Sequence, residues 1–160
     1  MTVTTFFQGG IAALYLGAAL LLWPSSARTQ RLAIALALLG ALLHLGLLSL
    51  RWQDIGQIPI ITRYEDLTVD ALAVTLVFLA VQWRLPELRP AGLLALGVAG
   101  LGVGWALVHS RGAFPMDPSL RTNWLIIHAQ LNSFAIGAGT LAAGVHLAWL
   151  AGRINSPDVP

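Results

Sequence analysis

The amino-acid sequence predicts an all-α integral membrane protein, a bundle of about five transmembrane helices, and three observations carry that reading. Hydrophobic residues make up 57% of the 160 residues and charged residues only 10%, against about 25% charged in an ordinary soluble domain. The apolar residues gather into five stretches, each near the ~20 residues that a helix needs to cross a bilayer. The short segments between them hold nearly every charge. The length leaves nothing over for a separate soluble domain, so residues 1–160 are read as one transmembrane domain.

The first span is placed at 6–23. Ser25, Ser26 and Ala27 follow it in the manner of a cleavage site, but Met1 to Thr5 carries no positive charge and the apolar run is long for a signal core. The second span, 32–50, stops at Arg51. The third, 67–83, is announced by a Thr62-x-x-Glu65 capping box, in which each side chain satisfies a free backbone N–H of the other. Asp70 falls about one turn into that helix, where the positive end of the helix dipole favours a carboxylate. The fourth span, 91–108, carries Gly97, Gly100 and Gly104, and the fifth, 124–150, carries Ala135, Gly139 and Ala143. Small residues at these spacings let helices approach closely in lipid, where no hydrophobic drive holds them together.

All nine basic residues are Arg. The N-terminus shares its side of the membrane with Arg51, Arg63, Arg111 and Arg121, in two long Pro-containing loops; Arg28, Arg31, Arg84, Arg89 and Arg153 fall on the other. Basic residues favour the cytoplasmic side. The expected placement is therefore multi-pass in the cell inner membrane, with the N-terminus outside and the C-terminus cytoplasmic. Trp52, Trp105 and Trp124 lie near the outer ends of their helices and Trp23, Trp83 and Trp149 near the inner ends, as half-polar rings do at the two interfaces.

Composition also excludes chemistries. Without Cys there are no disulfides, thiolate nucleophiles or covalent haem attachment. Without Lys there is no Schiff base and no phosphate-loop lysine. A net charge of +2 with no basic cluster argues against a nucleic-acid partner. No catalytic constellation is present, which points to binding or assembly rather than catalysis.

Ionisable side chains at membrane depth are costly and mark function by default. Here they are His44, Asp70, His128 and His146, with His109 at an edge. His44 lies about 10 Å and His128 about 6 Å inside the outer boundary at 1.5 Å per residue. His44 shares a helical face with Ala33, Ala37 and Gly40, and His128 shares one with Asn132, Ala135, Gly139, Ala142 and His146. Two imidazoles at matched depth on small-residue faces suit the axial ligation of a non-covalent b-type haem between them. Arg51, Arg63, Arg111 and Arg121 lie just above and suit its propionates, which Arg binds bidentately. The plainer reading of each His is an interhelical hydrogen bond, and of each Arg a lipid phosphate contact.

Several of these residues resemble a known family. The stretch Pro118-Ser119-Leu120-Arg121-Thr122-Asn123-Trp124-Leu125-Ile126-Ile127-His128 resembles the segment of the cytochrome c assembly protein family that leads from a Pro-containing outer loop to a haem-ligating His. Pro59 followed by Tyr64-Glu65-Asp66-Leu67 is similar to that family's Pro loop and its Tyr-Glu-Ser-Leu helix start, with Asp66 in the place of Ser. His44 ahead of Arg51 is similar to the His and Arg that close the preceding helix in the HemX-like branch. The resemblance implies haem handling near the outer membrane face, with His128 as external ligand. The family's Trp-rich outer loop is not in this sequence, so the resemblance also implies a partner membrane protein that completes the site. Two other functions fit the same residues. One is a cofactor-free accessory subunit of a respiratory or photosynthetic membrane complex, and the other a b-haem anchor for electron transfer with quinone.

Overall fold

The computed structural model describes residues 3–23, 26–109, 112, 114–117 and 122–154. These residues form five helices: α1 (Val3–Leu21), α2 (Ala27–Ile55), α3 (Arg63–Arg84), α4 (Gly92–Ala106), which follows a 3-10 turn at Pro86–Ala91, and α5 (Asn123–Leu150). Each is long and apolar enough to cross a membrane, α4 together with its 3-10 turn. The fold is an all-helical multi-pass membrane protein.

Caps, rather than the edge of the apolar run, set where the helices end. In α2, Ser26 accepts a hydrogen bond from the Thr29 N–H, and Gly56 closes the helix in the left-handed region at φ 67°, a conformation glycine adopts without strain. The helix therefore extends beyond the predicted 32–50 at both ends. At the start of α3 both halves of the Thr62–Glu65 capping box are formed. Span four is shorter as an α-helix than the predicted 91–108. Pro86 and Pro90 hold its beginning in the 3-10 turn, since proline lacks the N–H that an α-helix uses. At its end, Leu107, Val108 and His109 bond three residues back, tightening the last turn.

α1 packs against α2 and α4, while α3 packs against α2, α4 and α5, and α4 also meets α5. Tyr15, Ile11, Leu22, Phe78, Leu96 and Val103 are fully buried between them. Close approach depends on particular glycines: a Cβ on Gly144 of α5 would sit 2.6 Å from the Ala91 carbonyl oxygen, and one on Gly100 of α4 would sit 2.7 Å from the Leu16 side chain. Gly97, Gly104 and Gly139 have nothing within 4 Å of that position. Of the predicted seam of α4, only Gly100 meets a neighbouring helix this closely. That of α5 is not covered by this chain, since Ala135, Gly139 and Ala143 are exposed. All six Trp side chains are exposed, as an interfacial belt requires.

Polar clamps tie the bundle at its two ends. On the predicted outer side, Gln57 donates to the Phe114 carbonyl at 2.8 Å and accepts from the Met116 N–H at 2.9 Å, joining two loops. At the other end Arg153 donates to the carbonyls of Leu22 and Trp23 and lies over the Trp23 ring. These carbonyls end α1, where a cation also meets the negative end of the helix dipole.

Candidate functional site

His44 lies on the buried stripe of α2 with Ala33, Ala37, Gly40, Ala41 and Leu47, as its spacing predicts. It is 0% exposed. Its Nδ1 is 3.2 Å from the hydroxyl of Tyr15 on α1. Gly40 makes this contact possible, because a Cβ there would come within 2.7 Å of the Tyr15 ring. The Nε2 of His44 is buried and has no hydrogen-bond partner. A buried N–H without an acceptor costs about 1–3 kcal/mol, whereas an unused lone pair is tolerated more readily.

His128 is different in every respect. It is exposed on α5 and its ring stacks on Trp124 one turn earlier, at 6.3 Å between centroids and 26° between planes. The whole predicted face of α5, His128, Asn132, Ala135, Gly139, Ala142 and His146, is exposed. The buried seam is Ser133, Gly137, Leu141, Gly144 and Ala148, half a turn round the helix at about 100° per residue. Sequence periodicity therefore finds a real face and assigns it the wrong neighbour. The expectation that His44 and His128 face each other across one site does not hold within this chain. His44 turns toward α1, and His128 turns outward from a helix that packs on α3, α4 and the 3-10 turn.

The Arg residues also divide. Arg51 donates from Nε and Nη2 to Glu65 Oε1 at 3.1 and 3.0 Å and from Nη2 to the Gly112 carbonyl at 3.0 Å. Asp54 lies 3.6 Å from its Nη1. The other Glu65 oxygen accepts from the N–H groups of Ile61 and Thr62. Within this chain Arg51 is thus engaged by Glu65, Asp54 and the Gly112 carbonyl. Arg63 is exposed at the first position of α3. Arg111 and Arg121, with Pro118 to Leu120, lie outside the described residues.

Of the remaining ionisable groups, His109 is partly buried beside Trp105, its Nε2 without a partner. His146 is exposed and lies 5.8 Å from the Trp149 ring. Asp70, read as a helix-start charge, accepts a 2.6 Å hydrogen bond from the Ser133 hydroxyl and so ties α3 to α5. Sequence reasoning passed over Tyr15, Thr75 and Ser133, together with Gln8, which is fully buried and donates to the Val103 carbonyl at 3.1 Å. The available signal was a neutral polar side chain within each apolar run.

A haem ligand needs an imidazole nitrogen with a free lone pair and room for the macrocycle. His128 has the room, on an open face, with a ring held by Trp124. His44 has the orphaned nitrogen in a packed interior. Two apolar grooves, of about 700 Å³ between α1 and the C-terminal part of α2 and of about 320 Å³ between α2, α3 and α5, are lined by neither imidazole. Among the described residues no three His, Asp or Glu side chains gather as a metal centre would require.

Comparison with known proteins finds relatives by sequence. Over 140 residues the chain is 31% identical to the cytochrome c biogenesis protein CcsA of Synechococcus sp. (strain CC9605), covering 81% of this chain and 44% of the relative. It is 34% identical over 137 residues to CcsA of Parasynechococcus marenigrum (strain WH8102), with the same coverages. With CcsA of Synechococcus sp. (strain JA-3-3Ab) the identity is 32% over 149 residues, covering 86% of this chain and 42% of the relative. A match of that extent in a 160-residue chain takes in both His44 and His128 wherever it begins. No family model and no solved structure matches. The chain spans less than half the length of these curated relatives, and over the part it shares with them it is similar to proteins of cytochrome c assembly.

Proposed function

We propose that this chain is a haem-handling membrane protein of cytochrome c biogenesis, set in the inner membrane with its N-terminus outside, and that a partner chain completes its site. The observation that carries the reading is His128: an imidazole at the outer end of α5, exposed and stacked on Trp124. Its neighbours along the same face are small or polar. Bound non-covalently, haem b would supply an iron that accepts imidazole nitrogen and carboxylates that pair with Arg. His128 is the ligand this chain offers outward, and Trp124 restrains its ring. Arg63, with Arg111 and Arg121 from the loop before α5, serves the carboxylates, a pairing that Arg makes bidentately. Arg51 and Glu65 hold the loop over that end. His44 is a second imidazole of the chain, held in the packed interior.

On this reading the chain alone binds haem through one imidazole, and the partner covering the open face of α5 supplies a further ligand. The test is absorption spectroscopy of the purified chain in lipid nanodiscs titrated with haem. A Soret band is expected, with His128→Ala weakening binding about tenfold or more, the order of effect seen when a metal site loses a supporting group. A chain that gives no band, or a band unchanged when His44 and His128 are both replaced by Ala, overturns the proposal.

A further inference from the structure

We propose that two copies of this chain pair through the open face of α5, lying parallel about a two-fold axis along the membrane normal. The exposed residues His128, Asn132, Ala135, Gly139, Ala142 and His146 form two interleaved series, each repeating every seven residues. That spacing is the seam of a left-handed helix pair, the commonest crossing in membranes. Its middle positions are Ala135, Gly139 and Ala142, and nothing among the described residues lies within 4 Å of a Cβ on Gly139, so a second helix can come close there. Asn132 lies about 12 Å below Trp124 at 1.5 Å per residue, inside a hydrocarbon core of about 30 Å. Its amide is exposed and has no partner among the described residues. Lipid tails offer it none, so the face calls for a helix that does.

The same residues select the occupant. A two-fold axis sets each residue of the seam against its own copy, and copies inserted in one membrane with one orientation keep their α5 helices parallel and in register. A face carrying an Arg or a carboxylate would then meet the same charge, and this one carries neither. An amide both donates and accepts, so two Asn132 side chains satisfy each other reciprocally, as a seam Asn does in paired helices. A neutral imidazole likewise has one donor and one acceptor. The small residues between them meet their own copies without a clash. The pairing also names the partner in the haem-handling reading: the further ligand becomes the second copy's His128, at the same depth. That role rests on the haem-handling reading, while the pairing itself does not.

The chain has no Cys, so single-Cys variants report the pairing directly. In proteoliposomes of the haem-free chain, oxidation is expected to link Ala135→Cys and Ala142→Cys to their own copies, because a disulfide needs Cα atoms within about 7 Å. Leu147→Cys, exposed but about 100° round the helix from His146, is expected to stay unlinked. Self-association is then followed by energy transfer between labelled copies over a range of protein-to-lipid ratios. Asn132→Leu is expected to weaken it about three- to thirtyfold, the span of interhelical hydrogen bonds in lipid. Gly139→Leu places its side chain where this chain has room, so it leaves the helical content unchanged by circular dichroism and is expected to abolish the pair. A chain that is monomeric at every ratio, a Leu147→Cys variant that links as readily as Ala135→Cys, or pairing unchanged in both Asn132→Leu and Gly139→Leu overturns the proposal. So does a seam Cys that links, in native membranes, to a different protein and not to its copy. Haem is read separately by absorption, with one haem per two chains expected. A paired chain that binds no haem overturns the ligation reading alone, and a monomeric chain that binds haem through His128 overturns the pairing alone.

Discussion

Loss of the Glu65 carboxylate breaks four contacts at once between the loops around α2 and α3. Its side chain is 2% exposed and that of Arg51 11% exposed, so the pair sits where water screens little. One carboxylate oxygen accepts two bonds from Arg51 and the other accepts the N–H groups of Ile61 and Thr62. Four donors converge on one side chain. In Glu65→Gln only one oxygen remains, so either the guanidinium or the two backbone N–H groups face an NH₂ that accepts nothing. Arg51 is left with the Gly112 carbonyl and with Asp54 at 3.6 Å. Removing one member of a buried pair typically costs ~3–5 kcal/mol because the other charge stays buried.

The assay is equilibrium unfolding in mixed micelles, followed by circular dichroism. Glu65→Gln is expected to lose ~3–5 kcal/mol, and combining it with Arg51→Met to recover at least ~2 kcal/mol, since an apolar replacement no longer strands a charge. In the double variant the Gln carbonyl is free to cap Ile61 and Thr62. A Glu65→Gln protein within ~0.5 kcal/mol of the original, the scatter of ordinary surface changes, would refute the reasoning. So would a double variant less stable than the single one.

Three further outcomes follow from local geometry. Ser133→Ala removes the 2.6 Å bond to Asp70 and is expected to cost ~1.5–3 kcal/mol, the range for a bond to a charged group; an unchanged unfolding free energy means Asp70 is satisfied otherwise. Gly144→Ala drives a Cβ to 2.6 Å from the Ala91 carbonyl and is expected to cost ~1–3 kcal/mol by overpacking. Gly139→Ala, with nothing within 4 Å, is expected to be neutral or up to ~1 kcal/mol stabilising through helix propensity, and equal effects at the two positions would contradict the packing. Gln57→Ala breaks both loop contacts and is expected to speed hydrogen exchange at the Met116 amide about tenfold; an unaltered exchange rate would show that the loops are held by other means.

The spans were legible because each requires only a run of apolar residues, and the Thr62–Glu65 box because both partners are close in sequence. The helix ends were less so. Arg51 looks like a boundary marker, yet α2 runs on through Ile55, since Glu65 in the following loop and helix neutralises the guanidinium. That partner is fourteen residues away, beyond the reach of any local rule. The same limit explains Asp70 and Ser133, sixty-three residues apart. Each residue alone has a sufficient local reading, as a helix-start charge and as an ordinary small residue. Only the packing of α3 on α5 joins them.

The two imidazoles show how far periodicity reaches. For α2 the small residues Ala33, Ala37 and Gly40 share the face of His44, and that face is buried. For α5 the same pattern marks the face that is open. A small-residue stripe records that something approaches closely, without saying whether this chain supplies it. In α2 the neighbour is α1, whose Tyr15 fills the space beside Gly40. On α5 the seam toward α3 is equally small, with Ser133, Gly137 and Gly144, so the helix is built for close approach on two opposite sides. One is satisfied internally. The other carries two imidazoles and an Asn amide at membrane depth, where lipid tails satisfy no polar group. The separation of His44 from His128 thus follows from which side of each helix this chain covers: His44 packs against α1 and His128 lies on the uncovered face of α5.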